Sequence, residues 1–114
     1  MLEFLRALRG RDPAGYAKCV ARIRRLVELG YELRRPEADA LCDGIRELRA
    51  TRGHVHYRIL YFFSGRDVAV LAHALTKEAG VPRADVERAI QRRDAFRTTP
   101  EAHTAYREVS DGEE

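Results

Sequence analysis

The chain has 114 residues, 45% of them hydrophobic and 34% charged, with a formal net charge of +3. That is the length and apolar content of one ordinary domain, too short for two, and it excludes a chain disordered throughout. No apolar run approaches the roughly 20 residues that span a bilayer, and Met1-Leu-Glu-Phe-Leu-Arg6 lacks the apolar stretch and cleavage site of a secretory signal. The cysteines, Cys19 and Cys42, form no CxxC pair, so neither a disulfide framework nor a zinc knuckle is expected. Both read as core thiols in a reducing, cytoplasmic compartment.

The charge is unevenly spread. Residues 1–35 carry a balance of +5, residues 36–43 of −3, residues 44–97 of +5, and residues 98–114 of −4. A basic body with an acidic tail suits a polyanion such as RNA, or an acidic protein; a solvated arginine-rich surface gives the same pattern.

In chain order, Leu2, Phe4, Leu5 and Leu8 make an apolar stripe at helical spacing that ends at Gly10. Asp12-Pro13 reads as an N-cap with proline at the first helical position. Tyr16, Cys19, Val20, Ile23, Leu26 and Val27 then line an amphipathic helix, closed by Gly30, with Arg22, Arg24 and Arg25 largely on its other side. The two helices form a hairpin. Pro36 to Gly44 reads as a connector. Strands are expected at Ile45–Arg49, at His54–Phe63 after a turn at Thr51–Gly53, and at Val68–Leu75 after a turn at Ser64–Asp67. A loop from Thr76 to Pro82 leads to a last helix starting near Arg83, with Val86, Ala89, Ile90, Arg93 and Phe96 along its inner stripe. From Thr98 the chain is polar and acidic. The fold class is α+β: two N-terminal helices on a three-stranded antiparallel meander, then a C-terminal helix. Residues 1–97 form the domain, and 98–114 an acidic tail.

Several of these segments resemble RelE/HigB-type toxins of type II toxin–antitoxin systems, most closely the phage-derived HigB-like branch. They are Gly44-Ile-Arg-Glu-Leu-Arg49, His56-Tyr-Arg-Ile-Leu-Tyr-Phe-Phe63, Leu71-Ala-His-Ala-Leu-Thr-Lys77 and Val81-Pro-Arg-Ala-Asp-Val-Glu-Arg-Ala89. Each block is weak alone; four in order behind a helical hairpin are more specific. The resemblance covers roughly residues 2–97. It implies a compact toxin that acts with the ribosome and cleaves mRNA, uses no cofactor or metal, and is held in check by an antitoxin protein. Three features depart from the family pattern. Family members begin with a strand before the first helix, whereas this chain starts almost inside that helix, so the first edge strand is expected to be missing. The usual Lys-Lys pair is Lys77-Glu78. The ring late in the last helix is Phe96, which exchanges no proton. A non-catalytic, ParE-like binder of DNA gyrase and an inactive prophage-derived remnant are therefore the alternatives.

Cleaving RNA without a metal needs positive charge on the phosphate, a base for the 2′-OH and an acid for the leaving 5′-oxygen. Alternation places Val55, Tyr57, Ile59, Tyr61 and Phe63 on a core face, with His54, His56, Arg58, Leu60 and Phe62 opposite. It also puts Ala69, Leu71, His73 and Leu75 on one face of the next strand, and Glu47 beside Arg49 on the first. Arg58 is the candidate phosphate ligand, assisted by Arg49 or Lys77, because a guanidinium fork binds two phosphate oxygens. His73 and His56 are candidates for the proton steps. The bland alternatives are an Arg58 stem packed on the sheet, a solvated Lys77, a satisfied core His73, and an Arg49 that only pairs with Glu47 or Asp43. Arg22 and Arg25 on the second helix, and Arg88, Arg92 and Arg93 on the last, are candidate RNA contacts. His54 and His56 face one way, but no Asp, Glu or Cys at ligand spacing completes a metal site. His103 and Tyr106 carry side chains suited to proton transfer, if they reach the cleft.

Overall fold

The computed structural model describes residues 1–65, 68–76 and 80–98. Helix α1 (Leu2–Arg11) runs one residue past Gly10. Helix α2 (Pro13–Leu29) begins as its sequence dictates: the Asp12 side chain accepts from Gly15 N at 3.1 Å, and Pro13 occupies the first turn. It ends at Gly30, whose φ of 55° would strain any side chain and whose N–H bonds Leu26 O. A single 3-10 turn (Gly30–Glu32) leads to the sheet.

Asp12 does more than cap. Its carboxylate also accepts the Tyr57 hydroxyl at 2.6 Å and pairs with Arg52 at 3.0 Å, tying the α1–α2 junction to the sheet. The Tyr57 bond, first among several causes, holds the Asp12 carboxyl below its ordinary range. Gly15 is required here, because a methyl at that position would lie 2.5 Å from Asp12 Oδ2 and 2.7 Å from the Tyr57 hydroxyl.

The sheet has four antiparallel strands in the order β1-β2-β3-β4: β1 (Ala38–Cys42), β2 (Ile45–Arg52), β3 (Val55–Ser64) and β4 (Val68–Thr76). The expected three-stranded meander thus gains β1, formed by the segment read as a connector. Its Ala-Asp-Ala-Leu-Cys sequence has few strand formers, so local propensity hides it. The signal lies in the turn. Asp43 and Gly44 sit at φ 53° and 79° between the paired Cys42 and Ile45, a two-residue hairpin loop of the kind Asp-Gly favours. Among the described residues α1 is the first element, starting at Leu2. Of the two thiols, Cys19 is buried and Cys42 is exposed, against the expectation that both are core; Cys42 ends the edge strand.

The sheet is covered on both faces. On one, Leu8 of α1 and Cys19, Ile23 and Leu26 of α2 pack on Leu48, Ala50, Tyr57, Ile59 and Tyr61. On the other, α3 (Arg83–Thr98) sets Ala89, Ile90 and Phe96 against Ile45, Leu60, Phe62, Ala72 and Leu75. Strand alternation explains this division along β3. Along β4 it fails. A bulge opposite Leu60 and Tyr61 pairs Leu60 with His73 but Tyr61 with Leu71, so Ala69 and Leu71 pack with the α1–α2 core while Leu75 packs with the α3 core. The expected single face for Ala69, Leu71, His73 and Leu75 is therefore split in two.

Candidate functional site

Helix α3 covers only part of its face. The rest of that face, over β1, β2 and the start of β3, carries charge. Arg49 of β2 and Arg58 of β3 are directly paired across the ladder. Like charges so placed repel. The repulsion is relieved by Glu47, two residues before Arg49 on the same face. Its Oε2 accepts from Arg49 Nη2 at 2.7 Å and its Oε1 from Arg58 Nη1 at 2.7 Å. Glu47 is only 3% exposed, so the bridge lies largely out of water. Arg49 also reaches Asp39 of β1 at 3.3 Å, and Asp39 in turn holds Arg35 at 2.9 Å. The result is a row of alternating charge across three strands.

The row is partly open to solvent: the Arg49 side chain is 35% exposed and the Arg58 side chain 14%, while Arg58 Nε is buried with no hydrogen-bond partner. His56 lies one step along the same face, where it pairs with Thr51. Its Nδ1 contacts Thr51 Oγ1 at 3.3 Å, which leaves Nε2 without a recorded partner among the described residues. Arg49, Arg58 and His56, three of the sequence candidates, thus share one sheet face.

The others do not join them. His73 is buried under α3 with both ring nitrogens engaged: Nε2 on Asp85 Oδ1 at 2.6 Å, and Nδ1 facing Arg92 Nη1 at 3.2 Å. Because Arg92 only donates, Nδ1 accepts and Nε2–H donates to Asp85. Neither nitrogen is open to a substrate, and the ring works as a clasp between β4 and α3. Arg92 also donates to Ala72 O at 2.7 Å. Arg93 pairs with Asp94 and donates to the Asp43 carbonyl, fastening α3 to the β1–β2 turn. Arg88 is exposed on α3. Arg22 and Arg25 project from α2, on the other side of the sheet, and share the Glu37 carboxylate at 3.0 and 3.2 Å. Arg22 Nε further donates to Arg49 O at 2.9 Å. These two arginines hold the segment before β1 against α2. Phe96 meets Phe62 edge-on at 5.8 Å, as core. Lys77 and Glu78, like His103 and Tyr106 in the tail, lie outside the described residues.

The residue that sequence reasoning undervalued is Glu47, considered there only as a neighbour of Arg49. Its double role depends on the register that sets Arg49 opposite Arg58. Among the described residues no group of three or more His, Cys, Asp or Glu side chains could hold a metal, and no helix is long and apolar enough to cross a membrane.

Residues 6–94 match the family described as phage derived protein Gp49-like (DUF891). The chain belongs to that family. No curated protein and no solved structure matches it. In this Gp49-like chain the match takes in the second half of α1, all of α2, all four strands and most of α3, and so every residue of the charged row.

Proposed function

We propose that this Gp49-like protein is the toxin of a type II toxin–antitoxin system and cleaves mRNA on the ribosome. The observation that carries the reading is the Arg49–Arg58 pair, held by Glu47 on a sheet face that also bears His56. The family and the four resembling blocks support the same class.

In the reaction we propose, the 2′-oxygen forms a bond to the adjacent phosphorus and the bond from phosphorus to the 5′-oxygen breaks. One proton leaves the 2′-OH and one reaches the 5′-oxygen, giving a cyclic phosphate and a free 5′-OH. Arg49, through its exposed edge, and Arg58 beside it stabilise the phosphoryl oxygens as charge builds on them. His56 is the described side chain placed to move a proton near neutral pH. Glu47 is a positioning residue: by accepting from Nε and Nη2 of Arg49 and from Nη1 of Arg58 it fixes both guanidiniums before substrate arrives. Lys77 is the assisting cation in this reading, and an acidic antitoxin segment the partner that covers the basic face.

The test is inducible expression in a bacterial host with primer extension on a reporter mRNA. Codon-spaced cuts that need translation, and that vanish in Arg58→Ala, are expected. Growth arrest without cuts, together with inhibited supercoiling by gyrase, would replace this reading with the binder. Harmless expression of a folded chain would leave the inactive remnant.

A further inference from the structure

A second feature lies around the β1 edge from the charged row. The Tyr31 ring stacks on Phe63, with centroids 4.0 Å apart and planes at 28°. Phe63 in turn meets Tyr61 edge-on at 5.7 Å. The Tyr31 hydroxyl donates to Gly65 O at 2.8 Å, which fixes the ring in its plane. One ring face is therefore covered by Phe63, yet the residue remains 54% exposed. It presents a flat, pre-oriented aromatic surface to solvent.

Beside the ring opens a cleft of about 520 Å³ whose lining includes Tyr31, Arg34, Arg35, Asp39 and Arg46. Arg46 is braced by the Tyr61 hydroxyl at 3.2 Å and the Leu33 carbonyl at 3.5 Å. The Arg34 guanidinium is exposed and has no hydrogen-bond or ion-pair partner among the described residues. The cleft's acid, Asp39, is already shared between Arg35 and Arg49. Three cations thus face one engaged carboxylate, next to a ring with a free face.

We infer that this cleft binds an unpaired stretch of RNA, with a base stacked on Tyr31 and the flanking phosphates on Arg34 and Arg46. Stacking on an open ring requires a base freed from pairing, so a duplex is a poor ligand. An acidic peptide would satisfy the arginines but leaves the ordered Phe63–Tyr31 stack unused. Asp39 makes the cleft continuous with Arg49, so a strand held here continues onto the Arg49–Arg58 face. That last step alone rests on the proposed RNA cleavage.

The test is fluorescence anisotropy of a labelled single-stranded oligoribonucleotide on the full chain. A duplex of the same sequence and an acidic peptide serve as competitors. Tyr31→Leu is expected to weaken binding about tenfold, as for the loss of one stacked base. Tyr31→Phe, which keeps the ring, should rescue it. Arg34→Gln, at an exposed and unpaired side chain, should lower the salt dependence by about one phosphate contact with the fold intact. Unchanged affinity in both Tyr31→Leu and Arg34→Gln would overturn the inference, as would equal competition by duplex or stronger competition by the peptide. Arg58→Ala separates the two readings. If it abolishes cuts while Tyr31→Leu binds normally, the cleft is wrong and the nuclease stands. If Tyr31 governs binding and no cuts occur at all, the reverse holds.

Discussion

The two faces of the sheet are built from alternate residues of the same strands, yet they are finished differently. The face under α1 and α2 is packed with apolar side chains from both helices, and the α2 arginines Arg22 and Arg25 are held by Glu37. The face under α3 is apolar only where that helix lies, and beyond it bears Glu47, Arg49, His56 and Arg58. One helix cannot cover a four-stranded sheet, so the uncovered strand positions had to be polar. Here they hold mutually bridged charges rather than scattered ones. The contrast separates the larger apolar core, on the first face, from the row of bridged charges to which the proposed cleavage is assigned, on the second.

The largest effect should come from breaking the packed face. Leu8 is fully buried, so Leu8→Ala is expected to cost about 2–5 kcal/mol in chemical denaturation. Next comes Glu47→Gln on the other face. It leaves two opposed guanidiniums with a neutral bridge, and should cost about 1–3 kcal/mol while disordering both forks. A cut rate that falls with KM little changed would mark Glu47 as positioning the arginines for the transition state.

A third test uses pH. Burial, with a smaller contribution from the Asp12 charge, pushes the Cys19 thiol up to about 12 from its ordinary 9.0. Its contribution to stability is therefore complete below pH 9 and is lost as pH rises toward 12. The loss is at most about 1.4 kcal/mol per pH unit in that window. Cys19→Ala should flatten the alkaline limb; an unchanged limb would show that the thiol does not sense that core. The smallest stability effect belongs to His56→Ala. On the half-buried edge of the charged face it should stay within about 0.5 kcal/mol, while cleavage falls by about 10²–10⁴-fold. An equal loss in both would make His56 structural.

Much of this was legible in the sequence. Apolar periodicity and the Asp12-Pro13 and Gly30 signals place both N-terminal helices, and β-branched and aromatic runs place β3 and β4, while β2, expected at Ile45–Arg49, runs on to Arg52. What escaped depended on pairing. Strand β1 has a weak local signal and exists because Asp43-Gly44 folds it back on β2. The turn expected at Thr51–Gly53 is instead a two-residue loop between the paired Arg52 and Val55, and that register sets Arg49 against Arg58. The β4 bulge takes His73 off the face of Leu71 and lets α3 claim it. A one-residue slip in either place would have assembled a different site from the same residues.

The central claim is that the Arg49–Arg58 face cuts RNA. The most direct measurement is primer extension on a translated reporter mRNA during induction of wild type, Arg58→Ala and Arg25→Ala. The account predicts codon-spaced cuts with wild type, none with Arg58→Ala, and cuts retained with Arg25→Ala, whose side chain lies on α2 and pairs with Glu37. Cuts that persist in a folded Arg58→Ala protein would contradict it.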